Sequence, residues 1–398
     1  MLKNSLNDAV LDIKNQEFIE TNLNTDIGQL LLKKNLNTSV DLKLLIEQIE
    51  AKKRCQKKLP IWFSTKNIYY PNKLNIEQTS SEITAKYKAS LVSGKALIDL
   101  TGGFGVDCYY FSKQIEQVYH CEIDSNLSNI VEHNYKQLNT KNISCIAKSG
   151  ITTLKKDEKL YDWIYIDPSR RDESKGKVFL LKDCLPNVPE HIKLLFEHSK
   201  NIMIKTSPLL DISSGISELN HVKTIHSIAV NNEVKELLWI LEQDYKGQIE
   251  IKTVNITKED NQIFNFYLNE ESSTTAELSM PLTYLYEPNA AILKTGAFNI
   301  LAKKLSLKKL HKHSHLYTSD SLLDFPGRCF KISNVIDYNK KKFKREFNSV
   351  KANVTTRNFP ESVQQIRKKL NLKDGGNDYL FFTKNKEDKT IIIITIKV

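Results

Sequence analysis

Long apolar runs are missing from this chain of 398 residues. None approaches the ~20 residues that a membrane-crossing helix needs, so a helical span is excluded. The first residues, MLKNSLNDAVLDIKNQ, lack the continuous apolar core of a secretory signal, and no export is expected. Cysteine is sparse and scattered: Cys55, Cys108, Cys121, Cys145, Cys184 and Cys329 form no CxxC pair. That spacing argues against a disulfide framework and against a zinc site, and it suits reduced thiols in the cytoplasm. Internal repeats and low-complexity tracts are also absent. A charged fraction of 26% beside 40% hydrophobic residues belongs to folded globular chains rather than disordered ones.

Positive charge, by contrast, is in excess. Fifty-eight Lys and Arg against 47 Asp and Glu give a formal net charge of +11, which points to an anionic partner such as nucleic acid. The length exceeds one ordinary core, so two or three domains are expected. Residues 1 to about 58 read as helices; in DLKLLIEQIEAKKRCQKK the apolar positions 42, 44, 45, 46 and 49 share one helical face. The aromatic-rich IWFSTKNIYYP reads as a packed connector. In TSSEITAKYKASLV a Thr or Ser with Glu three residues on signals a helix start. From ALIDL onward, strands alternate with helices through VYHCEID, ISCIAK, YDWIYID and NIMIKTS, as expected of a mostly parallel sheet covered on both faces. Beyond about 275 the pattern changes. EPNAAILKTGAFNILAKKLSLKKL reads as one or two helices and KHSHLYTSDSLLDFPG as a loop. A strand, the basic helix KKKFKREF, a strand, a helix and two final strands then make a separate α+β unit.

The stretch LIDLTGGFGVDCYYF breaks a strand with glycine and restarts at once as a helix. Glycine tolerates positive φ and lets a ligand approach bare backbone. Asp99, Gly103 and Gly105 mark this turn, and Glu122 ends the next strand, where a carboxylate can accept hydrogen bonds from ribose hydroxyls. Asp107 within the turn opposes a pyrophosphate and suits a cationic ligand such as a sulfonium. The fourth strand ends in Asp167-Pro168-Ser169, followed by Arg170 and Arg171, whose guanidinium forks suit phosphate or carboxylate.

Together DLTGGFGVD, EID and DPSRR resemble a class I S-adenosylmethionine-dependent methyltransferase. With EQTSSEITAKYKA, IKTSPLLDI, NNEVKELL and YEPNAAILKTGAF, the chain is similar to the bacterial methyltransferases that carry a C-terminal THUMP-like domain. The resemblance implies an α/β, Rossmann-like sheet and four parts. These are an N-terminal helical region (1–75), the methyltransferase domain (76–272), a small helical, ferredoxin-like connector (273–327) and the THUMP-like domain (328–398). It further implies S-adenosyl-L-methionine as cofactor and RNA, tRNA or rRNA, as partner, with no membrane and no metal. Cofactor contacts are expected from Thr79, Ser80, Asp99, Thr101, Gly103, Gly105, Asp107, Glu122 and Ser149, with Gln78 a weaker candidate and a plain helix cap the alternative for Thr79. Ser149 stands where many relatives have an acid that reads adenine. Asp167, Pro168 and Ser169 are the expected catalytic segment, and Arg170 and Arg171 the acceptor anchors. The aromatic that stacks on a base in amino-group methylases is absent after Pro168, so that acceptor is not established. Cys184 reads as a buried inert thiol, Lys205 as a site residue or a strand-end charge, and His311, His313 and His315 lack the companions of a metal site. A protein or small-molecule acceptor, and a catalytically silent RNA-binding protein, stay open as alternatives.

Overall fold

The computed structural model describes residues 6–32, 40–170, 180–347 and 349–398. The chain divides into two compact units, Met1–Val222 with Leu238–Lys246, and Lys223–Leu237 with Gly247–Val398. In chain order the first nine long strands are β1 (Gly94–Asp99), β2 (Ile115–Cys121), β3 (Ile143–Ile146), β4 (Trp163–Ile166), β5 (Asn201–Thr206), β6 (Val222–Val230), β7 (Glu233–Glu242), β8 (Glu250–Ile256) and β9 (Asn261–Tyr267).

The first unit opens with helices, as the periodicity predicts. Asp41 caps Leu42–Lys58 by accepting from the Lys43 N–H at 3.0 Å, and Leu45, Ile46, Ile49 and Cys55 form the buried face. Pro60 starts the next short helix, whose Trp62 is buried. Gln48 fastens the connector: its amide donates to the Tyr70 carbonyl at 2.7 Å and accepts from the Tyr70 N–H at 2.9 Å. The helix Glu82–Ala89 starts at Ser81, whose hydroxyl accepts from the Thr84 N–H, rather than at Thr79, which ends the preceding helix. Glu82 is therefore not the reciprocal partner of a capping box; its carboxylate accepts from the Ile61 N–H instead.

The strands of this unit lie in the order β7-β5-β4-β1-β2-β3. β1 runs parallel to both β2 and β4, β2 parallel to β3, and β4 parallel to β5. Two strands, β2 and β3, step outward from β1 in one direction, and the chain then crosses to β4 on its other side. That reversal leaves a crevice beyond the carboxyl ends of β1 and β4, the usual ligand edge of such a sheet. Ile164, Ile166, Ile202, Met203 and Ile204 are fully buried, the continuous apolar runs of strands covered on both faces.

In the second unit, Asn231 and Asn232 turn the β6–β7 hairpin with φ of 50° and 64°, left-handed values that Asn tolerates. β8 pairs parallel with β6 and antiparallel with β9. A second sheet follows: β10 (Tyr284–Pro288), β11 (Tyr317–Ser319), β12 (Gly327–Asp337), β13 (Asn353–Thr356), β14 (Asp378–Lys384) and β15 (Thr390–Lys397). Its order is β11-β10-β12-β15-β14-β13, with the short strand Lys308–Lys309 beyond β11. Two of these strands differ from the sequence reading. β10 precedes a stretch read as helical and β11 lies inside a stretch read as a loop, because each is short and acquires its partners only from distant segments. The helical stretch itself is two helices, Ala290–Thr295 and Asn299–Lys304, the first ended by Gly296 at φ 73°. Alternate residues of β14 and β15 face opposite ways: Phe381, Ile391 and Ile393 join Phe330 in one cluster, while Leu380, Phe382, Ile392 and Ile394 pack with Phe343 and Ile366 in another.

Candidate active site

β1 ends at Asp99, only 1% exposed. One carboxylate oxygen accepts from the Thr101 N–H at 2.8 Å and from its hydroxyl at 3.2 Å, and the other accepts from the Cys108 thiol at 3.2 Å. Burial pushes its pKa up from 3.8 to about 7, against the lowering effect of those hydrogen bonds. Burial also holds the Cys108 thiol well above its ordinary range, so it stays a donor. The Thr101 hydroxyl in turn accepts from the Asp167 N–H at 2.7 Å, tying the carboxyl end of β1 to that of β4.

The three glycines of the turn have different reasons to be glycine. A Cβ on Gly102 would stand 2.3 Å from the His120 ring, and one on Gly105 would stand 2.2 Å from the Tyr135 hydroxyl. Gly105, at φ 75°, also serves as the left-handed N-cap of the helix Val106–Phe111, and Tyr135 donates to its carbonyl at 2.8 Å. Those two positions are fixed by packing. Gly103, at φ 54°, has nothing nearer its missing Cβ than the Thr101 carbonyl at 3.8 Å. It alone leaves the open side of the loop bare.

His120 is fully buried beneath this loop, and its Nε2–H donates to the Gly103 carbonyl at 3.2 Å. Burial holds its pKa at about 4, so the ring is neutral at pH 7. Two residues on, Glu122 is half-buried. One oxygen accepts from the Gly103 N–H at 2.9 Å and the other from the Asp124 N–H at 2.8 Å, and the Ile123 N–H also favours the carboxylate, so three backbone donors on four lone pairs leave capacity for a further partner. Burial raises its pKa above the ordinary carboxylate value. Ser149 is half-buried at the start of the helix Gly150–Leu154, and its hydroxyl caps no helix N–H and is unengaged among the described residues. Gly150 lets this loop press against the backbone of Leu100.

Two expected cofactor contacts are differently engaged. Asp107, 9% exposed, lies 2.9 Å from the fully buried Lys88 ammonium and accepts from the Ser80 hydroxyl at 2.8 Å and the Tyr165 hydroxyl at 2.9 Å. Lys88 also donates to the Ser80 hydroxyl at 2.6 Å. The Asp107 charge is thus matched inside the fold, and the reason for assigning it a cationic ligand does not hold. Ser80 belongs to the same buried group. Its neighbour Thr79 is half-buried, while Gln78 is exposed. The side chains of Asp99 and Thr101 and the carbonyl of Gly105 are likewise engaged in bonds that build the loop.

On the other flank, Asp167 is half-buried and accepts from the Lys205 ammonium at 2.7 Å. Pro168 is buried and Ser169 exposed. Ser169 and Arg170 pair with Leu185 and Cys184, which places the buried Cys184 opposite Arg170 in the register. Arg171 lies outside the described residues, as does the side chain of Arg170. Sequence reasoning missed Lys88, His120, Tyr135 and Tyr165. Only His120 left a signal, as a polar residue in the apolar run before Glu122. The histidines of the second unit are separated in their roles: His311 meets Asn358 through Nδ1 at 2.9 Å, and His315 stacks on Phe298 at 3.5 Å. Among the described residues no group of three metal-ligating side chains occurs, and no helix is long and apolar enough to cross a membrane.

Family models match the C-terminal part of the chain: a ferredoxin-like domain over residues 284–326 and a THUMP domain-like model over 327–397. Among curated proteins none matches. Among solved structures, a Porphyromonas gingivalis W83 protein provisionally named a methyltransferase superposes with a TM-score of 0.88 at 29% identity, covering 96% of this chain and 97% of its own. An rRNA methylase of Streptococcus thermophilus matches at 14% identity and TM-score 0.30, covering 42% of this chain and 98% of its own. A Streptococcus mutans protein provisionally named a methyltransferase, in complex with SAH, matches at 16% and 0.31, covering 40% and 96%. These two likenesses are too partial to bear on chemistry.

Proposed function

Since the chain has the class I methyltransferase fold and carries a THUMP-like domain at its C-terminal end, we propose that it transfers a methyl group from S-adenosylmethionine to RNA, tRNA or rRNA. The observation that carries the proposal is the crevice edge itself. Bare Gly103, the half-buried Glu122 and the unengaged Ser149 hydroxyl come from the loops after β1, β2 and β3. These residues fit the donor: Glu122 has lone-pair capacity for a ribose hydroxyl, Ser149 offers a polar atom for the adenine, and Gly103 gives room for the chain that links them. Thr79, half-buried at the end of the helix Lys73–Gln78, is a further candidate for the amino-acid end. When bound, the donor supplies a methyl group already activated on a positive sulfur.

The protein's own task is then alignment, which brings reacting atoms to ~3 Å and excludes water. Asp99 and Thr101 hold the loop rigid, and the Thr101 hydroxyl fixes the Asp167 backbone. Lys205 orients the Asp167 carboxylate, whose second oxygen, unengaged among the described residues, can accept from a proton-bearing group of the acceptor. Pro168 stiffens the segment, and Arg170 and Arg171, which follow Ser169 in the sequence, are the proposed acceptor anchors. Cys184, the nearest cysteine downstream of this segment, is buried and so unsuited to attack.

RNA as acceptor is supported by the net charge of +11 and by the THUMP-like module. Incubation with methyl-labelled donor and either total RNA or total protein tests the reading. Label is expected in RNA; label confined to protein moves the acceptor class, and absence of donor binding by calorimetry removes the enzyme altogether.

A further inference from the structure

Glu287, in β10, is 3% exposed and is the only carboxylate that Arg328 and Arg357 share among the ion pairs of the described residues. Arg328 lies directly opposite it in the β10–β12 register. Its Nε donates to one carboxylate oxygen at 2.7 Å and its Nη2 donates to the same oxygen. Arg357, which follows β13, donates from Nη2 to the second oxygen at 2.7 Å and from Nη1 to the Thr356 carbonyl at 3.0 Å. Each guanidinium has five N–H donors. Each spends two here, so three remain on either side, and both side chains are 38% exposed. The group as a whole carries one positive charge beyond the buried carboxylate.

Its surroundings are mixed in sign, with Lys309 near His315 and Asp388 at 3.4 Å from His311. Asn358, next in the chain, meets His311, and the nearby positive charges of Lys309 and Arg357 hold His315 low, beneath the larger effect of burial. Each fork serves a different oxygen of the carboxylate, and both guanidinium side chains remain partly exposed beyond it.

We propose that the Arg328–Glu287–Arg357 group is a phosphodiester-binding site for the RNA backbone, with Glu287 as a positioning residue that splays the two guanidiniums. This deepens the RNA part of the proposed function and does not depend on the transfer step. The match is one anionic phosphate to one net positive charge, bound through paired donors in the planar geometry that arginine supplies.

The test uses the full chain and a fluorescent, mixed-sequence single-stranded RNA, titrated over a salt series by anisotropy. Arg357→Gln is expected to weaken binding roughly five- to tenfold and to lower the slope of log affinity against log salt by about 0.7, as for one lost phosphate contact. Affinity for S-adenosylhomocysteine should not change. Arg357→Lys should keep the salt slope while losing part of the affinity, and serves if the Gln variant does not fold. Wild-type affinity and slope in both variants overturn the site while leaving RNA binding elsewhere intact. Failure of the wild type to bind any RNA overturns the site and the RNA reading together, with methyl transfer to protein still measurable. Arg357-dependent binding of inorganic phosphate, with RNA affinity unaltered, overturns the nucleic-acid assignment in favour of a free anion.

Discussion

Glu122 keeps both oxygens on backbone N–H groups and still has lone-pair capacity, so its removal costs a ligand its acceptor and leaves two loop N–H groups without theirs. Replacing it with alanine should weaken S-adenosylhomocysteine binding by about 10- to 100-fold, the worth of hydrogen bonds to a charged group, and should lower melting modestly through the two lost loop bonds. Calorimetry at fixed pH decides this; wild-type affinity in Glu122→Ala would refute the ribose assignment. The same loop also has a pH signature. Asp99 binds its proton more tightly in the folded chain (about 7 against 3.8), so its contribution to stability is greatest at low pH and is lost as pH rises toward 7. His120 acts oppositely: with a folded value of about 4 against 6.5, stability is lost as pH falls between those limits. Carbon-detected NMR should find the Asp99 carboxyl titrating near pH 7, and a midpoint near 4 would remove the claim. At this scale the sequence was half legible. Glu122 and Asp167 stood at strand ends, where position alone marks them. Asp107 was misleading because its partner Lys88 lies on another helix, and no local pattern announces a buried ion pair between distant segments.

Packing between elements explains more of the glycine turn than ligand approach does. Adding a methyl group at Gly102 drives it into the His120 ring, so Gly102→Ala should cost about 1–3 kcal/mol. A His120→Ala background should recover part of that loss. Thermal melting of the two single variants and the double variant measures the coupling, and a Gly102→Ala protein that melts like the wild type would show that the contact is not tight. The buried pair of Lys88 and Asp107 makes a second case. Lys88→Met leaves a carboxylate inside the fold with hydroxyl partners only, and should cost about 3–5 kcal/mol. Donor affinity in the protein that remains folded should change little; its collapse with stability intact would return Asp107 to the ligand. The strand–helix alternation of the first unit was readable because parallel strands are apolar runs and several helices begin at a side-chain cap, as at Asp124, Asn187 and Asp211. β10 and β11 were not, being segments of five and three residues whose partners arrive from elsewhere in the chain.

For the molecule as a whole, composition carries the expectation of an anionic partner more than any single residue does. The excess of lysine and arginine includes the exposed Lys340, Lys341, Lys342, Lys344 and Arg345 of one short helix in the second unit. The two C-terminal family models adjoin between residues 326 and 327, yet Glu287 belongs to the first and both of its arginines to the second. A cut at that junction orphans a carboxylate on one fragment and two guanidiniums on the other. Residues 327–398 expressed alone should therefore melt lower than the same residues within 284–398, and equal melting would show the bond to be dispensable. Neither segment is a freely portable cassette: any recombination that moved one without the other would strand a charge on each side of the joint, so the pair should travel through descent as a single heritable piece.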